Sequence, residues 1–299
     1  MHETGGRSVR ATKKHESIEA LLAFHQETKP KPLIQRLARE KVAYAKALGW
    51  EGPPFCPKIL ASIFDIKCKE VHHDIDGDGR ILPYPDGKLW IEYRSGVLPE
   101  RQRFTIFHEL AHTLFPDLCS FLPRHHSPIK RFKDPEKEFE ALCDMGAAEM
   151  LFPHDDFTRD LLDHGSLGFE AIHSLRKRYE GSIDATTHRL VDFAADVPCV
   201  AGFFTDKKRI HTGRGPLWLQ YSKQNKAFKG YLAPGTTPPW NSVVLDCYRK
   251  SLETTLAVKE TWWINGKPRS WLVQAGRLPV FADPNYPKVV ALFLPSSYC

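Results

Sequence analysis

Arg103-Phe104-Thr105-Ile106-Phe107-His108-Glu109-Leu110-Ala111-His112 is the stretch on which the reading of this chain turns. It lies in a segment that opens at Pro99, a residue suited to a first helical turn because its ring nitrogen has no N–H to leave unpaired. The segment continues to Phe115 before Pro116 stops it. Phe104, Phe107, Leu110, Ala111, Leu114 and Phe115 are too many apolar residues for an exposed helix, which places the segment in a core. Residues four apart on a helix share a face, so His108 and His112 can address one metal ion. Glu109, one position on, is not a ligand but can reach a water bound to that ion. Burying two histidines and a glutamate unpaired would be costly, which favours a metal site over histidines merely satisfied within a core.

A catalytic zinc takes three protein ligands and keeps an open position for water. One class of such enzymes extends the motif to His-Glu-x-x-His-x-x-Gly-x-x-His, but the chain has Phe115 and Leu118 at the last two fixed positions, which excludes that class. The other common class takes a glutamate from a later helix. Asp134 as cap and Pro135 at the first position start such a helix, which runs to about Phe152 before Pro153. Glu140 is the candidate third ligand. Asp144, four residues on and on the same face, is placed to hold a ligand histidine through its second nitrogen. Glu136 and Glu138 are rivals for the ligand role, and plain solvated helix charge is the alternative for all three.

The first stretch, taken with Glu140-Ala141-Leu142-Cys143-Asp144-Met145-Gly146-Ala147-Ala148-Glu149-Met150-Leu151-Phe152-Pro153, resembles the ImmA/IrrE family of zinc metallo-endopeptidases. In that family the second motif runs Glu-x-x-Ala-Asn-x-Phe-Ala-Ala-x-Leu-Leu-Met-Pro, and its first Glu, the third zinc ligand, falls on Glu140. This chain departs from it with Cys143-Asp144 in place of Ala-Asn and Gly146 in place of Phe, departures expected to affect packing more than ligation. Leu175 to Leu190, with Arg178-Tyr179, Ser182, Ala185 and Arg189-Leu190, is similar to the helices that follow the catalytic core in the family. The resemblance covers roughly residues 32–195. It implies an α+β, zincin-like core binding Zn2+ through His108, His112 and Glu140, with Glu109 taking a proton from the attacking water and returning it to the leaving amine. It further implies an endopeptidase acting on a cytoplasmic protein, a helix-turn-helix transcriptional repressor, in a stress or mobile-element switch.

Composition sets the frame. The 299 residues (34.2 kDa) are 42% hydrophobic and 26% charged, ordinary globular usage that excludes collagen-like, disordered and coiled-coil chains. No apolar run approaches the roughly 20 residues of a membrane helix, and Met1 to Lys14 lacks the apolar stretch of a secretory signal, so a cytoplasmic protein is expected. Seven cysteines without a Cys-x-x-Cys pair fit reduced thiols. A net charge of +6 without a clustered basic stripe makes direct nucleic-acid binding an unexpected role.

Three segments are expected. Residues 1–31 form a polar tail and a short helix over Ser17 to Glu27, capped at Ser17 or Glu16. Residues 32–195 form the peptidase-like part, with a helix over about Pro32 to Leu48, strands at Ala61 to Ile66, Arg80 to Leu82 and Lys88 to Tyr93, and helices at Phe169 to Tyr179 and Ile183 to Ala194 in a helix-turn-helix-like arrangement. Residues 196–299 form a β-rich α/β part, a possible sensor or partner-binding domain, with five of the seven tryptophans and a hairpin at Asn265-Gly266.

Other signals are set aside. Asp74-Ile75-Asp76-Gly77-Asp78-Gly79 imitates a calcium loop, but Pro85 stands where a bidentate Glu is needed. His72-His73 and His125-His126 are loop histidines, with one of the second pair kept as a possible transition-state donor. Arg176-Lys177-Arg178 is a solvated helix face rather than a DNA contact, and the C-terminal tryptophans are core rather than a ligand cage. Two competing functions stand beside the peptidase: a regulatory binding protein with a structural or vestigial zinc site, and a zinc-independent DNA-binding regulator.

Overall fold

Pro57, not anticipated as a helix start, opens one of nine helices that, with eight strands in two sheets, make up an α+β fold among the described residues. The computed structural model describes residues 15–73, 75, 77–118, 135–194, 196–206, 216–279 and 287–298. The expectations on Asp74, Asp76, His125, His126 and Asp134 lie outside the described residues. The chain divides into two compact units, one ending at His154 and the other beginning at Asp155.

In the first unit, α1 (Glu16–His25) is capped by His15, whose Nδ1 accepts from Ser17 N at 3.2 Å, rather than by Glu16 or Ser17. Helix α2 (Pro30–Ala47) buries Leu33, Ile34, Ala38, Val42 and Ala45, a stripe at spacings of three and four. Helix α3 (Pro57–Ile63) corrects the strand expected at Ala61 to Ile66: the proline presets helical φ at the first turn and Leu60 and Ala61 are buried. The true first strand is β1 (Lys67–Val71), whose mostly charged sequence and exposed pattern hid it. It pairs in parallel with β3 (Leu89–Arg94), which also pairs antiparallel with β2 (Gly79–Pro83), so β1 and β2 are both edges. Helices α4 (Pro99–His112) and α5 (Pro135–Leu151) pack on each other, and α4 also rests on β2 and β3. Buried Glu149 of α5 is tied to α2 by Arg39 at 3.2 and 3.3 Å and by Gln35 at 3.4 Å.

The second unit contains α6 (His154–His164), α7 (Phe169–Tyr179), α8 (Ile183–Phe193), α9 (Val243–Arg249) and an antiparallel sheet ordered β5-β4-β8-β7-β6. Its strands are β4 (Val200–Thr205), β5 (Trp218–Gln224), β6 (Val258–Ile264), β7 (Lys267–Arg277) and β8 (Val289–Pro295). All of β4 and nearly all of β8 is buried, which is why both read as continuous apolar runs rather than alternating ones. Helix α8 packs on β4 and β5, and α7 on β7, where Gly276 leaves the space that Phe169 fills. The boundary read near 196 marks the change from helix to strand, but packing divides the chain earlier, because α7 and α8 cover the second sheet. The Asn265-Gly266 hairpin forms as expected, with φ of 53° and 69°, both positive as a type I′ turn requires. The tryptophans split: Trp262 and Trp271 are core, whereas Trp240 and Trp263 are exposed.

The helix-turn-helix-like pair also has a clear physical setting. Thr186, Thr187 and Arg189 of α8 are buried, so this helix does not present the exposed face that groove reading needs. Arg178 is engaged by Asp160 at 2.6 Å, and Tyr179 donates to the same carboxylate at 2.7 Å.

Candidate metal centre

Helix α4 brings its face to α5 at unusually small residues. A Cβ placed on Gly146 would stand 3.0 Å from both Ala111 Cβ and Leu114 Cδ1, closer than side chains tolerate without moving. The expectation that Gly146 bears on packing is therefore sound, and it has a consequence for chemistry, because the same approach sets the distance between the two helices' polar side chains. Gly146→Leu should wedge the helices apart, lower stability by about 1–3 kcal/mol and weaken metal binding together, as checked by denaturant unfolding and metal titration.

Across this contact, His108 Nε2 lies 3.0 Å from Glu140 Oε2 and His108 Nδ1 lies 2.9 Å from Asp144 Oδ1. His112 turns Nε2 toward the Glu109 carboxylate at 4.0 Å and Nδ1 toward Cys143 Sγ at 3.6 Å. Ligand atoms of His108, His112 and Glu140 all fall within 4.8 Å of one another, a group of three able to hold one metal ion. Two imidazole nitrogens and one carboxylate oxygen are a donor set that suits zinc, and each ring has its other nitrogen engaged, as ligand histidines need. Glu140, Cys143 and Asp144 are spaced i, i+3 and i+4, so one face of α5 meets both histidines.

The electrostatics follow from this crowding. Burial opposes charge on His108, but the Asp144 and Glu140 carboxylates at its two nitrogens, with Glu109 nearby, outweigh it and push its pKa up to about 10. The Cys143 thiol is raised by burial first and then by the charges of Glu140, Glu109 and Asp144, which keeps it protonated.

Glu109 is buried and stands beside the first residue of β2. A Cβ on Gly79 would collide with Thr105 Cγ2 and come within 3.3 Å of Glu109 Oε1, so the missing side chain is what lets the edge strand lie against this carboxylate. Of the rival glutamates, Glu136 pairs with His15 at 3.1 Å and Glu138 is exposed, and neither joins the three-residue group. His72 and His73 are exposed loop residues. Cys143 and Gly79 are the residues at this centre to which sequence reasoning gave no role there. Cys143 was within reach of the same face argument that found Asp144, whereas nothing in the sequence marks Gly79 as the neighbour of Glu109.

A His-Glu-x-x-His helix joined by a glutamate from the next helix is the donor arrangement of the metallopeptidase class. Residues 73–191 match the family model of the IrrE N-terminal-like domain. The radiation response metalloprotease IrrE of Deinococcus deserti is 30% identical over 152 residues, 48% of this chain and 52% of that protein. Its namesake in Deinococcus radiodurans is 28% identical over 156 residues, 48% of this chain and 47% of that protein. The chain thus spans about half the length of these curated relatives. Among solved structures, a Mycobacterium tuberculosis transcriptional regulator shares the fold with a TM-score of 0.53 at 15% identity, over 87% of both chains. No helix among the described residues is long and apolar enough to cross a membrane.

Proposed function

We propose that this protein is a zinc-dependent endopeptidase that hydrolyses a cytoplasmic protein. The observation that carries the reading is the convergence of His108, His112 and Glu140 within 4.8 Å beside the buried carboxylate of Glu109. His108 and His112 would hold the ion through Nε2 and Glu140 through a carboxylate oxygen. Zinc supplies, when bound, the Lewis acidity that makes water nucleophilic near neutral pH and stabilises negative charge on a carbonyl oxygen. Glu109 takes the proton from the attacking water and delivers it to the leaving amine nitrogen. Asp144 accepts the Nδ1–H of His108, fixing the tautomer that leaves Nε2 unprotonated for the ion.

The substrate is read from the family resemblance as a helix-turn-helix repressor in a stress or mobile-element switch, and the C-terminal β-rich region as a sensor or partner-binding part. The reading is tested by incubating metal-loaded protein with such repressors: cleavage that stops with chelator and returns with zinc supports it, and no cleavage of protein or peptide substrates by fully loaded protein overturns it.

The raised pKa of His108 gives this reading a pH signature. In the metal-free protein the imidazole keeps its proton from its ordinary value of 6.5 up to about 10, so an incoming ion must displace it. Apparent zinc affinity should therefore rise with pH by up to about tenfold per unit and flatten toward pH 10. Competition against a chelator of known pH dependence, from pH 6 to 9, checks this, and His108→Ala should lose the effect along with the site.

A further inference from the structure

We propose that Cys143 is a positioning residue for His112: its sulfur accepts the Nδ1–H of that imidazole and so aims Nε2 into the metal site. The inference rests on the metal-site reading above and goes beyond it, since the family motif has alanine at this position and no ligand or catalytic role falls on it. Four observations support it. Cys143 Sγ lies 3.6 Å from His112 Nδ1, within reach of an N–H···S hydrogen bond. The sulfur sits at the ring nitrogen opposite to the one that faces Glu109, outside the three-residue group that could hold an ion. Cys143 has no solvent exposure, so water does not compete for the contact. Its place on α5, one residue before Asp144, makes it the counterpart of the carboxylate that holds His108.

The two histidines are therefore held by unequal partners. An anionic carboxylate makes the His108 imidazole the more basic donor, whereas a neutral thiol, a weak acceptor, orients His112 with little change in its basicity. This arrangement fixes both ring planes while adding one negative charge rather than two to a centre that already contains Glu109 and Glu140.

The test compares the full-length wild type with Cys143→Ala, Cys143→Ser and Cys143→Val. Valine fills the sulfur's place with methyl groups, one heavy atom more than cysteine and without an acceptor, and serine keeps an acceptor. Zinc affinity is measured by chelator competition, and the cobalt-substituted proteins are read by visible absorption. Cys143→Ala and Cys143→Val should each weaken metal binding by about tenfold and shift the cobalt d–d bands, while Cys143→Ser should recover most of both. Equal affinity and identical cobalt spectra in all four proteins would overturn the proposal, as would valine matching the wild type while serine fails, since that pattern is packing alone. A strong sulfur-to-cobalt charge-transfer band in the wild type, absent in Cys143→Ala, would overturn it differently, by making the thiol a ligand. His112→Ala serves as the control that separates the two levels: if it binds metal like the wild type, the metal-site reading itself falls and this inference with it.

Discussion

Glu109→Gln should reduce peptide hydrolysis by on the order of a thousandfold while one zinc per chain stays bound. The size follows from the general-base role, since removing a positioned proton acceptor costs on the order of 10²–10⁴ in rate. The selectivity follows from the structure. Glu109 stands outside the three residues that can hold an ion, and glutamine preserves the volume beside Gly79 and Thr105 while removing the basic oxygen. Cleavage rates and elemental mass spectrometry on the same preparation decide the matter. Cleavage near the wild-type rate at full metal content would remove Glu109 from the chemistry. A biological effect that survives the substitution after cleavage is gone would instead favour the regulatory binding protein, in which the site is structural.

Glu140→Ala and His108→Ala should abolish stoichiometric zinc, and Glu138→Ala should keep it. Glu140 lies 3.0 Å from His108 Nε2, whereas Glu138 is exposed on the same helix and joins no metal group. Removing Glu140 also takes away one of the two carboxylates that hold the charged form of His108, leaving Asp144 as the other. The same variants should lose the stabilisation that metal gives the folded state, about 4 kcal/mol when free zinc is about a thousand times its dissociation constant. Thermal unfolding with and without chelator reads this: the wild type should fall on chelation, and the two ligand variants should start low and not move. A wild type without zinc after metal is supplied at neutral pH would sink the peptidase reading.

What the sequence disclosed and what it hid have separate physical causes. The starts of α4 and α5 and the end of α5 were legible because prolines at 99, 135 and 153 mark where backbone hydrogen bonding starts or fails, whereas α4 stops at His112, three residues short of the Phe115 expected before Pro116. The hairpin was legible because Asn265-Gly266 suits two consecutive positive φ angles. The candidate metal group was legible in part because helical spacing aligns His108 with His112 and Glu140 with Asp144, while the family resemblance set Glu140 apart from Glu136 and Glu138. By contrast, β1 is an edge strand whose Lys67, Lys69 and Glu70 need no apolar alternation, so its pattern carries no period. Helix α6 begins immediately after Pro153 with polar residues, and the proline that ends α5 masked the start of the next helix. Helix α3 is too short for periodicity to separate from a strand. The nearness of Gly79 to Glu109 arises from strand and helix meeting across the core, a contact no local pattern encodes.

The face of α5 that carries Glu140, Cys143 and Asp144 ties the centre to the reading frame of one helix. Each residue advances a helix by about 100°, so one residue inserted between Glu140 and Cys143 would swing the ligand away from the two side chains that touch the histidines. The same insertion just before Pro135 would leave all three in register. Length changes in this helix should therefore be tolerated at its ends, whereas a change in the number of residues between Glu140 and Asp144 should undo the candidate metal group in a single step, without altering one of its side chains.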